Sequence, residues 1–314
     1  MSESLQIFSW ILLFPGFLFT VLVGLVASWI VRKVSALVQW RVGPPFYQPF
    51  ADIVKLMGKE ILIPKDAQQT VFIMAPIIGL SAVLLLSTML WRITIAPEKS
   101  FIGDIIVAIY LMVMPSLALI LGSSASASSH AAVGASREMK LVMGYELPLV
   151  LAFIVVIIKT GGQLGLAAIA GHTSILSISG VLAFLPSLLA VQAKLGFVPF
   201  DIAEAETELG SGVLMEYSGA LLAIWKITQA MMLVALPLFL VMMFLGGFGI
   251  DSLSFWAGIG KYVLVLFLLI LIKNTNPRVR IDQAMKFFWV YCGIALAIAV
   301  VLAIIGNNCQ INWL

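Results

Sequence analysis

The chain has 314 residues, of which 62% are hydrophobic and 11% charged, and a net charge of +3. Its mean hydropathy of +1.12 excludes a soluble globular domain and is typical of a polytopic membrane protein. The two cysteines and two histidines stand apart, so no recognisable spacing supplies an iron–sulfur or zinc site. The sequence therefore predicts that any redox cofactor is held by other subunits.

The apolar stretches predict an all-α membrane protein. A span needs roughly 20 mostly apolar residues, and eight stretches meet this condition, at about 9–31, 70–91, 104–122, 141–158, 176–196, 221–245, 256–273 and 287–306. The loop after the first span has apolar residues at spacings of three and four, which predicts a short amphipathic helix along the membrane surface. No loop is long enough for a second domain, so residues 1–314 form one integral membrane domain.

The basic residues predict the orientation of these spans. Of the 18 lysines and arginines, 14 fall in the odd-numbered loops, and none lies in either terminal tail. Because positive charge marks the cytoplasmic side, both termini are expected outside, in a multi-pass protein of the plasma membrane. The cytoplasmic loops are then about 32–69, 123–140, 197–220 and 274–286.

The third of these loops contains a strongly acidic stretch, residues 197–219, which we call the acidic segment. It has no lysine or arginine, and its five carboxylates are Asp201, Glu204, Glu206, Glu208 and Glu216. We expect protons, cations or a partner protein to neutralise them. Asp201, Glu204 and Glu208 share one face if the segment is helical, and clustered carboxylates raise one another's pKa. This predicts proton or cation handling; the alternative is a solvated acidic loop.

Three more charged residues lie close to the membrane. Glu146, in the fourth span, either faces the bundle interior or caps its helix at the interface. Lys194 and Lys226 flank the acidic segment, and either pair with its carboxylates or extend to the lipid headgroups. The small-residue run 122–130 is either a flexible loop or a close-packed helix continuation.

Four ordered motifs resemble the H-type membrane subunit of respiratory complex I, the family known in mitochondria as NADH dehydrogenase subunit one. The acidic segment carries Pro199-Phe-Asp-Ile-Ala-Glu-Ala-Glu-Thr-Glu-Leu209 and Glu216-Tyr-Ser-Gly219. The other three motifs are Arg41-Val-Gly-Pro44 with Asp52-Ile-Val-Lys-Leu56, Gly134-Ala-Ser-Arg-Glu138 with Tyr145-Glu146, and Asn276-Pro-Arg-Val-Arg-Ile-Asp-Gln283. Several of these motifs look most similar to the branch in membrane-bound [NiFe]-hydrogenases and archaeal sulfane-sulfur reductases.

The resemblance implies a tilted bundle whose cytoplasmic loops dock onto a peripheral electron-transfer arm. It implies a coupling path through the acids Glu138, Glu146, Asp201, Glu204, Glu206, Glu208 and Glu216, to which we add Lys194 and Lys226. Docking positions are expected at Arg41, Asp52, Arg137, Arg278, Arg280 and Asp282. Many relatives carry a basic residue just before Pro-Phe-Asp, where this chain has Phe197 and Val198. Whether Lys194 replaces it stays open.

The expected function is that of a non-catalytic membrane anchor and coupling subunit, in a ferredoxin-dependent [NiFe]-hydrogenase that drives H⁺ or Na⁺ translocation. The expected partners are hydrogenase-like large and small subunits, an iron–sulfur subunit and antiporter-like membrane subunits. They would hold the iron–sulfur clusters and the NiFe centre. The alternatives are the same role in a sulfane-sulfur reductase or a quinone oxidoreductase, a stand-alone ion transporter, and a purely structural anchor.

Overall fold

A computed structural model describes residues 9–205, 208, 210, 212–249, 252–311 and 313. Every regular element in these residues is helical. In chain order the helices are α1 (Phe17–Val38), α2 (Gln48–Met57), α3 (Gln69–Ile95), α4 (Asp104–Ser124), α5 (Ser129–Lys159), α6 (Leu166–Ala170), α7 (Ile178–Lys194), α8 (Gly219–Phe244), α9 (Ser252–Thr275), α10 (Ile281–Lys286) and α11 (Gly293–Asn308). A π-helical turn at Phe287–Cys292 joins α10 to α11.

Seven helical segments of the described chain are long and apolar enough to cross a membrane. The eighth apolar helix, α7, has 17 residues, so it is about 26 Å long and slightly shorter than the roughly 30 Å hydrocarbon core. The predicted all-α membrane fold with about eight membrane helices is confirmed. The side of the membrane on which each terminus lies stays a prediction.

Helix α8 is the centre of the bundle. In its most apolar stretch 94% of the residues are buried within the protein, against 28–56% for the other six long spans. It packs against α1 and α3, and the surface helix α2 lies against its beginning. The close approach of α1 depends on Gly24, because a Cβ atom there would lie 2.4 Å from the carbonyl oxygen of Ala230.

Helix α5 begins within the predicted cytoplasmic loop 123–140. Residues 129–140 are helical, so α5 has 31 residues and begins 12 residues before the predicted span. The small-residue run 122–130 combines its two predicted alternatives, a helix continuation and a loop. Helix α4 extends through Ser124, a turn follows, and α5 starts at Ser129. The charged Arg137 and Glu138 lower the local hydropathy of residues 129–140, so the sequence did not indicate a membrane helix there. These first turns of α5 pack against the acidic segment.

The surface helix α2 is confirmed at Gln48–Met57. Pro49 lies in its first turn, where the missing N–H has no helical partner to lose. Arg32 at the end of α1 pairs with Asp52 of α2 at 3.1 Å, and the Gln48 amide donates to the same carboxylate at 2.9 Å. These contacts fix α2 beside the end of α1.

Candidate functional site

The acidic segment packs tightly against the first turns of α5. Gly134 of α5 permits this contact, because a Cβ atom there would lie 2.9 Å from the Val213 nitrogen. Gly212 has a φ of +53°, and a Cβ atom would lie 1.9 Å from the Ala203 carbonyl oxygen, so only glycine fits this turn. The segment therefore folds back on itself beneath α5.

Residues 201–205 form turns and irregular structure rather than a helix. The condition under which Asp201, Glu204 and Glu208 would share one helical face is therefore not met. The last loop shapes this part of the segment, since the Val279 N–H donates to the Pro199 carbonyl at 3.0 Å. That bond to a distant loop replaces the local bonds that a helix would make.

Two arginines, one from helix α5 and one from the loop before α10, neutralise two carboxylates of the acidic segment. Arg278 donates to Asp201 at 2.7 Å, and Arg137 donates to Glu208 at 2.7 Å. The absence of basic residues within the segment was thus misleading, because distant parts of the chain supply them. The hydrogen bond from Arg137 and its positive charge hold the pKa of Glu208 below its ordinary value of 4.5. For Glu208 the expected rise in pKa is therefore wrong.

The remaining predicted residues have different surroundings. Glu216 is half-buried, Arg41 is exposed, and Asp282 lies in the first turn of α10, where the Arg280 N–H donates to the Gln283 side chain. Glu206 lies outside the described residues. Arg137 and Arg278 are paired within this chain, and the role of all these loop residues in docking stays a prediction.

A second charged cluster lies inside the bundle, around the fully buried side chain of Lys194. Its ammonium group is hydrogen-bonded to Glu146, donates to the Met112 carbonyl of α4 at 3.1 Å, and lies 5.1 Å from the centre of the Tyr145 ring. Lys194 thus pairs with α5 instead of the acidic segment, and it does not extend to the headgroups. Glu146 lies in the middle of α5, so the alternative of a helix cap is wrong.

Glu138 connects the buried cluster to the acidic segment. It is only 8% exposed and interacts electrostatically with Glu204 on one side and Lys194 on the other. The Tyr145 hydroxyl shares a 3.2 Å hydrogen bond with the Ser116 hydroxyl of α4. An ionisable group buried at this depth is costly and is found mainly where function requires it.

A small cavity lies between these groups. Its volume is about 60 Å³, which is room for a few water molecules. Glu138, Lys194, Asp201 and Glu204 all line it, together with Ser116, Thr228 and Gln229. Polar walls of this kind can hold water that carries protons between the carboxylates.

A larger cavity of about 490 Å³ lies on the other side of Asp201 and Glu204, between α1, α2, α8 and α9. Asp201, Glu204 and Gln229 line both cavities, so they form the wall between them. Within this wall Gln229 accepts from Lys226 at 3.2 Å and donates to Glu204 at 3.0 Å. Lys226 lines the larger cavity. Gln229 thus links the Lys226 ammonium group to the Glu204 carboxylate, which also lines the smaller cavity.

Sequence reasoning missed Gln229 and Ser116, and it named Tyr145 only as part of a family motif. A signal was present, because Gln229 follows Lys226 by three residues in an otherwise apolar span, and such spacing places two side chains on one helix face. Ser116 gave no such signal, and nothing in the sequence linked it to Tyr145. Serine is common in membrane helices, and the contact between them joins α4 to α5 across 29 residues.

Comparison with known proteins found similar proteins along most of the chain. A family model described as NADH dehydrogenase matches residues 11–305. The H-type subunit of NADH-quinone oxidoreductase from Geobacillus thermodenitrificans is 32% identical over 273 residues, covering 82% of this chain and 82% of that protein. Its counterpart from Orientia tsutsugamushi is 34% identical over 295 residues, covering 87% and 82%.

One solved structure is also similar along nearly the whole chain. It is a chain of the membrane-bound sulfane sulfur reductase, an archaeal respiratory membrane complex. The TM-score is 0.85 at 29% sequence identity, and the match covers 95% of this chain and 99% of that one.

Proposed function

Because the chain belongs to the NADH dehydrogenase family of H-type membrane subunits, and is thus a membrane subunit of a complex I-related complex, we propose that it anchors a peripheral redox arm and couples its reaction to ion translocation. The buried cluster of Lys194, Glu146 and Glu138 is the observation that carries this proposal. Charges inside a membrane protein are expensive to keep and commonly mark ion or proton pathways. A purely structural anchor has no need of them.

The path begins at the larger cavity. A change of charge at a redox centre docked above Asp201 and Glu204 alters the proton affinity of Glu204. Glu204 interacts with Glu138 beside the small cavity. A proton gained or lost by one carboxylate therefore changes the proton affinity of the other. Glu138 passes the change to the Lys194–Glu146 pair, and from there it reaches the neighbouring membrane subunits.

The terminal reaction we propose is hydrogen evolution from reduced ferredoxin, with the iron–sulfur clusters and a NiFe centre in partner subunits. The motifs in residues 135–138, 201–206 and 274–283 support it through their similarity to the hydrogenase branch. A second candidate is sulfane-sulfur reduction, which the similarity to the archaeal reductase favours. Quinone reduction is the activity in the names of the curated relatives.

The composition of the purified complex separates these reactions. Nickel in the soluble subunits together with ferredoxin-dependent H₂ evolution supports the hydrogenase. Polysulfide reduction without nickel would replace it with the second candidate, and quinol formation with the third. Transport by this chain alone would favour a stand-alone transporter.

The coupling role is tested by Glu138→Gln in the assembled complex in proteoliposomes. We expect ion translocation to fall by about 100-fold, the contribution of one proton-transfer group, while electron transfer continues uncoupled or slows. The matched control is Glu98→Gln, since Glu98 is exposed and lies beyond the far end of α3, at Pro97–Lys99. A complex with Glu138→Gln that assembles and translocates ions at the wild-type ratio would overturn the coupling role. One that fails only in assembly would point to a structural anchor.

A further inference from the structure

A third polar cavity lies at the end of the bundle opposite to the acidic segment. Within α5, Lys159 is 22 residues beyond Arg137, which is about 33 Å along the helix and comparable to the thickness of the hydrocarbon core. Lys159 and the cavity it lines therefore lie at the other membrane interface. The coupling path described above does not use this cavity.

The cavity has a volume of about 640 Å³ and forms where the end of α5, the beginning of α7 and the end of α11 meet. Its wall contains a lysine, a histidine, three hydroxyl groups and two side-chain amides, and no carboxylate is among its described lining residues. The polar lining residues are Lys159, His172, Thr173, Ser174, Ser177, Asn307 and Gln310. Such a wall selects for an anion.

Two of these groups have no partner within the described part of the chain. Lys159 forms no ion pair there, and the buried Ser174 hydroxyl makes no hydrogen bond. The walls of the two cavities beside Asp201, by contrast, both contain carboxylates. A half-buried cation and an unbonded hydroxyl together favour a ligand with acidic oxygen atoms.

An apolar surface continues from the cavity into the membrane. Leu176 lines the rim and is 79% exposed. On α7 the exposed residues Ile178, Val181 and Leu185 follow at spacings of three and four, so they share one helix face. Val301 of α11, the helix that packs against α7, is also exposed.

We propose that this cavity binds the phosphate headgroup of an anionic phospholipid, whose acyl chains lie along the exposed face of α7. Lys159 and His172 contact the phosphate, and Ser174 with the neighbouring hydroxyls and amides supplies further hydrogen bonds. A free phosphate ion fits the polar wall but leaves the apolar face without a ligand. The phospholipid satisfies both parts of the site.

The test uses the purified complex in detergent and a phosphatidylglycerol that carries a photoactivatable diazirine on its acyl chain. Peptide mapping after illumination is expected to find label in residues 172–185 and 298–311. Unlabelled phosphatidylglycerol should compete, while phosphatidylcholine and inorganic phosphate should not. This comparison needs no variant, so it stands even if substitutions impair assembly.

Variants then identify the groups that recognise the headgroup. Lys159→Ala should lower labelling about fivefold, the effect of roughly 1 kcal/mol for one basic residue near an anionic lipid, and Lys159→Arg should retain it. Arg92→Ala is the matched control, because Arg92 is an exposed basic residue near the end of α3 outside the cavity. Equal competition by phosphatidylcholine, full competition by phosphate, or an equal loss in Arg92→Ala would each overturn the proposal.

Discussion

The same chemistry, a basic side chain paired with a carboxylate, occurs in two very different parts of this molecule. In the bundle, the Lys194 side chain is 0% exposed and its partner Glu146 is 19% exposed. At the surface of the acidic segment, Arg137 and Glu208 are 28% and 56% exposed. Both pairs look alike in a sequence, since each joins residues that are far apart in the chain.

The difference in burial decides what each pair does. An exposed pair is screened by solvent and contributes little to stability. A buried pair loses the hydration of both charges, and removing one partner leaves the other without compensation. The buried pair therefore makes the bundle sensitive to any change in proton occupancy, whereas the surface pairs position the loop that presents Asp201 and Glu204.

The largest effect is expected from Lys194→Met. It leaves Glu146 buried without its cation and should destabilise the subunit by about 3–5 kcal/mol, visible as reduced assembly and a lower melting temperature of the complex. The double variant Lys194→Met with Glu146→Gln should recover most of the stability but not ion translocation. If the single and double variants were equally stable, leaving Glu146 without its cation would cost no more than breaking a surface pair, and the comparison would fail.

A smaller effect is expected from Gln229→Leu, which lies between the two regions. It removes a hydrogen bond from Lys226 and one to Glu204. Because Lys226 is exposed, we expect a loss near the net value of an ordinary hydrogen bond, about 1 kcal/mol each. We expect slower ion translocation at nearly normal electron transfer, together with a shifted pH profile of translocation. Gln163→Leu, in an exposed loop, is the control; an unchanged profile in Gln229→Leu would remove Gln229 from the path.

The pair between Arg278 and Asp201 should give a still smaller effect. Its side chains are 30% and 18% exposed, so Arg278→Gln should cost about 1 kcal/mol, the upper end for surface pairs. Hydrogen–deuterium exchange at residues 198–205 should increase. A double-mutant cycle with Asp201→Asn measures the coupling energy between Arg278 and Asp201. A coupling energy equal to that of Lys194 and Glu146 would contradict the comparison.

The smallest effect is expected from Glu208→Gln. Arg137 holds the pKa of Glu208 below 4.5, so the pair is fully formed above that pH and is lost as the pH falls through the lowered pKa. Exchange at residues 129–140 should differ slightly between variant and wild type at pH 6, and the difference should shrink as the pH falls through the lowered pKa of Glu208. A difference that grew towards low pH would contradict this assignment.

Much of the fold followed from the sequence because membrane spans depend on local composition. Eight apolar stretches correspond to eight helices, and the amphipathic pattern of residues 50–61 led to α2. The start of α5 was missed because its first turns rest on protein rather than lipid, and the apolar pattern does not mark such contacts.

The candidate site followed only in part, for a related reason. The residues Glu138, Glu146 and Lys194 were identified from their chemistry and from the family motifs, but their partners were not. Pairing across 48 or 71 residues, as in Lys194–Glu146 and Arg137–Glu208, depends on which helices become neighbours. The role of Gln229 depends on two cavities that exist only after the helices have packed.

Helix α5 carries Arg137, Glu138, Glu146 and Lys159 on one continuous rod. Their angular positions are therefore locked together, at about 100° for each residue. One residue inserted between Glu138 and Glu146 would rotate the part of α5 that follows the insertion. Glu146 would then turn away from Lys194, while Arg137 kept its place beside Glu208. The spacing along this rod is thus as much a part of the site as the identity of its side chains.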